Sequence, residues 1–179
     1  MMLQIDHRES RDVDIFLPDP QLLSFLDPQK NDFQFEIQPD AYRGDGARSL
    51  RFAFDGLGEI DFIVAGTLTS QSTKPTEIEG ELVLLETIPE IVTKKIYYRG
   101  FNLEPRDIFD IAAAGEQFED SLIEELRKHR DRVAQTLAAM DKLDAGFVDR
   151  AVAQLPIKER YRSIAKKALA RSKALLGAV

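Results

Sequence analysis

The chain has 179 residues, 44% of them apolar and 31% charged, enough for one sizeable core or one main domain with a smaller helical appendage. The absence of cysteine excludes disulfides and cysteine-ligated zinc, and the two histidines, His7 and His129, are too few and too separated for a histidine zinc site. No apolar stretch has signal-peptide or membrane-span character, so a cytoplasmic protein without membrane contact is expected.

The net charge of −7 is uneven. Residues 157–179 carry seven Lys and Arg against the single acid Glu159, about +6, which leaves about −13 on the remainder. A basic helical end on an acidic body can attract a polyanion, although an exposed Lys/Arg helix is more often a solvated face.

Residues 10–17, Ser-Arg-Asp-Val-Asp-Ile-Phe-Leu, alternate as a strand does. Val13, Ile15 and Leu17 share one face, and Asp12, Asp14 and Phe16 the other. Asp disfavours strands, and neighbouring carboxylates repel. A positive charge is therefore expected between them, most simply Mg²⁺, which is held by one or two carboxylates together with substrate phosphates. The plainer alternative for so short a motif is the solvated edge of an antiparallel sheet.

Asp19-Pro20 has the chemistry of a helix start, Leu22, Leu23 and Leu26 supply an apolar stripe, and Asp27-Pro28 ends it. Phe33, Phe35 and Ile37 alternate with polar residues, which predicts a strand, and Arg43-Gly44-Asp45-Gly46 reads as a turn. A hairpin follows: Leu50, Phe52 and Phe54 alternate, Asp55-Gly56-Leu57-Gly58 turns, and residues 59–68 return. The return strand puts Glu59, Asp61 and Ile63 on one face, so Asp61 is a second acid in an apolar strand; a water-facing strand side is its ordinary explanation.

Residues 69–76 are polar and loop-like, and Leu82 to Leu85 predict a short apolar strand. Thr87 and Glu90 have the spacing of a capping box, opening a helix with Ile88, Val92 and Ile96 buried. Lys95 and Arg99 lie one turn apart at the edge of that stripe. Such cations usually reach for water, but near carboxylates they could hold phosphate oxygens. Pro105 suits the first turn of the next helix, where Asp107 and Asp110 share a face and Ile108, Ile111 and Ala112 face the core. An acid in a first helical turn is also favoured simply by the helix dipole.

From Glu116 onward the chain reads as helix, with Leu122, Leu126, Val133, Leu137 and Met140 as a core stripe. Asp144-Ala145-Gly146 predicts a break, residues 147–155 a short helix, and Pro156 the start of the basic last one. No Walker loop, dinucleotide fingerprint or Gly-x-Ser-x-Gly elbow occurs, so hydride transfer and serine hydrolysis are unsupported. Three acids on two strands, with cations on a following helix, point to metal-assisted chemistry on a phosphate.

Three stretches also resemble a known family. Residues 7–16, His-Arg-Glu-Ser-Arg-Asp-Val-Asp-Ile-Phe, resemble the first motif of the AbiEii/AbiGii nucleotidyltransferase-like toxin family, in which a His-Arg, a Ser and an Asp-x-Asp lead into the first strand. Residues 90–96 with Arg99-Gly100 are similar to a second motif. Arg106-Asp107-Ile108-Phe109-Asp110-Ile111 is similar to a third, and no motif covers the helical C-terminal part.

The resemblance implies an α+β fold: a polymerase-β-like nucleotidyltransferase mixed sheet with flanking helices over residues 1–100, followed by a C-terminal helical bundle over 101–179. It implies that Asp12 and Asp14 bind Mg²⁺ or Mn²⁺ carrying a nucleoside triphosphate. Asp61 would complete the metal site and help deprotonate an acceptor hydroxyl, with Lys95 and Asp107 on the opposite wall. Ser10, Arg99 and Asp110 would contact the nucleotide. The implied partners are a nucleoside triphosphate, an RNA acceptor such as tRNA, an antitoxin protein and, for a homo-oligomer, a second copy; the implied role is that of a toxin in a toxin–antitoxin or phage-defence system.

The family's Gly-Gly or Gly-Ser/Thr step, roughly ten to twelve residues before the paired acids, would fall at or before Met1, and residues 1–5 look like the tail of the helix it opens. A shortened relative would lack that phosphate grip and leave part of the sheet's apolar face uncovered for self-association or a partner. The alternative function is then a catalytically silent binding module that uses its basic last helix or exposed sheet face.

Overall fold

The computed structural model of the chain describes residues 1–32 and 35–179. In chain order it forms α1 (Met2–Ile5), β1 (Val13–Leu17), α2 (Leu22–Leu26), β2 (Ala41–Gly44), β3 (Ser49–Phe54), β4 (Gly58–Val64), β5 (Thr73–Ile78) and β6 (Glu81–Glu86). Helices α3 (Ile88–Arg99), α4 (Pro105–Leu126), α5 (Arg130–Met140), α6 (Ala145–Ala153), α7 (Arg162–Ala165) and α8 (Ala168–Gly177) follow. The architecture is mixed α+β with a helical C-terminal half. Two compact units divide the chain: residues 10–67, and residues 1–9 with 68–179. Residue 100, where the sequence places a domain boundary, lies inside the second unit between the packed helices α3 and α4.

In the unit of residues 10–67 the sheet order is β1-β4-β3-β2. β1 runs parallel to β4, and the other neighbours are antiparallel. Alternation makes the sheet two-faced. Val13, Ile15 and Leu17 share a face with Ile60, Phe62, Val64, Leu50 and Phe52, while Asp14, Asp61, Arg51 and Arg43 lie on the other. Leu23 of α2 seals Leu50 and Phe52 into a small core, with Phe35 edge-on to Phe52 at 5.5 Å between ring centroids. Val13 stays 52% exposed at the β1 end, so the apolar face is covered only in part.

Two sequence expectations change here. Of the strand expected over residues 33–37, Phe33 and Gln34 lie outside the described residues, and Phe35 to Gln38 form no strand. Arg43 and Gly44 belong to β2 rather than to a turn. The turn follows them, tied by Asp45, whose carboxylate accepts the N–H groups of Arg48, Ala47 and Ser49 and is held down to about 2 by them. The hairpin itself forms as expected, with a return strand ending at Val64.

In the second unit α4 is the central helix, packed by α3, α6, α7 and α8. Ile88, Val92 and Ile96 of α3 meet Ile108, Phe109 and Ile111 of α4, all buried. Each such side chain stabilises the fold by about 1.5–3 kcal/mol before ordering entropy. The helix expected from Glu116 is the second half of α4, which kinks at Phe118. Residues 73–76, expected to be loop, form β5 and pair with β6, because Glu79-Gly80 supplies the two positive-φ residues of a tight hairpin turn. Pro156 opens no helix; after it Ile157 bridges to Arg8, and only then do α7 and α8 form. Among the described residues, contacts within the chain engage five of the seven cations in this tail. Lys158 meets Glu9, Arg160 the Ile5 carbonyl, Arg162 Glu159, Arg171 Glu116, and Lys173 Asp141. No described helix is long and apolar enough to cross a membrane.

Candidate active site

Across the charged sheet face the register builds one row of four side chains: Asp14 beside Asp61, Asp61 beside Arg51, Arg51 beside Arg43. Asp12, just before β1, accepts the Glu59 N–H at 3.3 Å. Asp14 and Asp61 thus share the face that the alternation gave them, and Asp12 lies just outside the paired strand. The start of β1 is held close to β4 by Gly58, whose φ is +140°; a Cβ there would sit 2.3 Å from the Arg11 carbonyl oxygen. Arg11 Nη1 also donates to the Gly56 carbonyl at 2.8 Å. A glycine at this point is thus what lets the two acid-bearing strands begin side by side.

Arg51 donates to both Asp61 oxygens, at 2.6 and 2.7 Å, and pairs with Glu59 at 2.8 Å. The hydrogen bond that Arg51 donates to Asp61 is the largest influence raising the Arg51 pKa, with the charges of Asp61, Glu59 and Asp12 adding to it. The positive charge expected among the acids is therefore partly supplied by a side chain of the opposite hairpin strand. Among the described residues no three His, Asp or Glu side chains converge as a cation cage. Asp12 and Asp14 are exposed carboxylates two residues apart in the chain.

A second constellation lies in the helical unit. Lys95 Nζ contacts Asp107 Oδ1 at 2.6 Å and Asp110 Oδ2 at 3.1 Å, and Arg99 also donates to Asp107 Oδ1. Asp107 Oδ2 accepts the Glu104 N–H, closing a capping box at the start of α4. Asp110 accepts from Arg8 Nε at 2.7 Å and Nη2 at 3.0 Å, and pairs with His7 Nε2 at 2.8 Å. Burial alone would raise the Asp110 pKa; the His7 hydrogen bond, the Lys95 charge and the Arg8 fork overcome it and hold the carboxyl well below the usual range. Both aspartates are buried, whereas Arg99 is half-exposed. Lys95 and Asp107, expected on the cleft wall, and Arg99 and Asp110, expected at the nucleotide, thus form one ion-paired cluster in which both carboxylates meet this chain's own cations. Ser10, also expected at the site, is the first residue of the sheet unit and half-buried.

The sequence reading did not find Arg51, His7 or Arg8 as site partners. Arg51 was legible, since the hairpin turn at residues 55–58 fixes 51 opposite 61. His7 and Arg8 reach Asp110 across more than a hundred residues, and no local pattern announces that. Glu90 is another surprise. Its carboxylate, fully buried, takes the Leu68 and Thr69 N–H groups and the Thr69 hydroxyl rather than returning to the Thr87 N–H as a capping box requires. Thr87 still caps α3 through the Glu90 N–H.

The chain matches no family model, no curated protein and no solved structure.

Proposed function

We propose that the charged sheet face is the active site of a metal-dependent nucleotidyltransferase of polymerase-β-like fold, joining a nucleotide to an acceptor, with RNA the favoured acceptor. The observation that carries this reading is the row Asp14–Asp61–Arg51–Arg43, with Asp12 two residues before Asp14. Carboxylates and guanidinium groups side by side suit a substrate that arrives as a polyphosphate with a divalent cation. Mg²⁺ or Mn²⁺, when bound, neutralises phosphate charge and favours ionisation of the attacking hydroxyl. Asp12 and Asp14 would hold it. Asp61, oriented by Arg51, takes the acceptor hydroxyl proton as that oxygen bonds to the α-phosphorus and the bond to the departing pyrophosphate breaks. Arg43, exposed at the end of the row, is the side chain available to phosphate oxygens. A place among toxins with a cognate antitoxin rests on the residue resemblance over positions 7–112.

The second reading is a catalytically silent module of the same fold. It is favoured by the Arg51 grip, which satisfies Asp61 without any cation.

The test is incubation with each labelled nucleoside triphosphate, Mg²⁺ and total tRNA. The first reading expects label in RNA with the wild type and none with Asp14→Asn. Absence of both transfer and triphosphate binding leaves the silent module.

A further inference from the structure

The β5–β6 hairpin has unequal edges. The Thr87 N–H donates to the Ser72 carbonyl at 2.9 Å, which makes that pair a hydrogen-bonded one and sets the alternation along the ladder. Lys74–Leu85 and Thr76–Val83 are then bonded pairs, while Pro75–Leu84 and Glu77–Leu82 turn their backbone groups outward. The outer edge of β5 is blocked at its centre because Pro75 has no N–H. On β6 the outward residues are Leu82, Leu84 and Glu86, and the Glu86 carbonyl already accepts Gln4 Nε2 at 2.8 Å. The N–H and C=O groups of Leu82 and Leu84 remain, and among the described residues no hydrogen bond from outside the hairpin reaches them. Their side chains are 76% and 71% exposed. A short open edge with two protruding leucines is a template for another strand.

We propose that β6 pairs antiparallel with β6 of a second copy of this chain, about a two-fold axis through Val83. The free groups select that occupant. Pairing about Val83 sets Leu82 opposite Leu84 of the second copy, and Leu84 opposite its Leu82, so that each pair exchanges both N–H···O bonds. The leucines of both copies then adjoin on one face of a continuous sheet. Glu81 falls opposite Leu85 and Glu86 opposite Gly80, so no like charges oppose each other directly. Pro75 ends the sheet on either side and closes the assembly at two copies. The contact is small beside the roughly 1,200 Å² of a stable interface, so the dimer forms and dissociates with concentration. A basic extended segment of another protein is the competing occupant, since Glu77, Glu79 and Glu81 surround the same edge.

The absence of cysteine makes the register directly testable. Val83→Cys places two thiols across a non-bonded pair, at a separation a disulfide can span. Oxidation is expected to give a covalent dimer, and Glu79→Cys is expected to give none. Sedimentation velocity of the wild type across about a hundredfold in concentration should move from the 20.2 kDa species to twice that mass. Leu84→Pro, which removes an outward N–H and leaves the β5–β6 ladder intact as Pro75 does, should weaken the dimer about tenfold or more. Leu84→Lys should do the same by apposing charge to leucine, and it decides the matter if the proline variant does not fold. A single 20.2 kDa species at every concentration overturns the proposal, as does a dimer that neither Leu84 variant weakens. The first of these results leaves β6 to a foreign strand.

Discussion

Arg51 and Asp61 face each other across β3 and β4 with both carboxylate oxygens taken by one guanidinium, at 2.6 and 2.7 Å. Asp61 is at the same time the neighbour of Asp14 on the parallel strand β1. Neighbouring aspartates repel unless something positive lies beside them, and Arg51 supplies that charge at Asp61. It is also the competitor of any cation that seeks the same carboxylates.

Removing the competitor should therefore improve cation binding. Arg51→Gln is expected to tighten Mn²⁺ binding about tenfold, equivalent to about 1.4 kcal/mol, read by electron paramagnetic resonance of free Mn²⁺. Its cost to stability should be about 1 kcal/mol, because the Arg51 side chain is 49% exposed although that of Asp61 is only 14% exposed. An unchanged or weaker affinity would show that Arg51 supports the site instead of competing for it.

How much of this was legible beforehand differs between the two halves of the chain. Period-two alternation was enough to place Asp14 and Asp61 on one face, because β-strand side chains have only two directions to point. The same rule located Arg51 in principle, once the hairpin turn fixed the register. Strand β5 escaped because Thr73 to Ile78 carries polar residues and a proline; what makes it a strand is its partner and the Glu79-Gly80 turn. Buried ion clusters escaped for another reason. Asp110 draws partners from α3 and from the segment ahead of β1, and such meetings follow from tertiary packing, which no window of sequence contains.

Gly58 should be intolerant of any side chain. Gly58→Ala must relieve a 2.3 Å approach to the Arg11 carbonyl and a φ of +140°. We expect a loss of about 2 kcal/mol or more in urea unfolding, together with displacement of Asp12, visible as a shifted Asp12 amide resonance. A variant as stable as the wild type, with that resonance unmoved, would mean the strands begin side by side without help from glycine.

Asp110 sets an acid limit on the helical unit. Its carboxyl is held low in the folded chain and returns to about 3.9 when unfolded, so it contributes stability above that value and loses it as pH falls below. Urea midpoints measured from pH 7 to pH 3 should decline on the acid side. Asp110→Asn, expected to cost about 3–5 kcal/mol at pH 7 by leaving Arg8 and Lys95 without their partner, should show a shallower decline. Parallel acid slopes in the two proteins would assign the acid sensitivity to other groups.

The central claim, that the acid row of the sheet receives the cation, is tested most directly by paramagnetic broadening of the backbone amides with substoichiometric Mn²⁺ in the presence of a non-hydrolysable nucleoside triphosphate. The account predicts that the amides of Asp12 to Ile15 and Ile60 to Phe62 broaden first, and that Asp14→Asn removes the effect. Broadening centred elsewhere, or none at all, contradicts it.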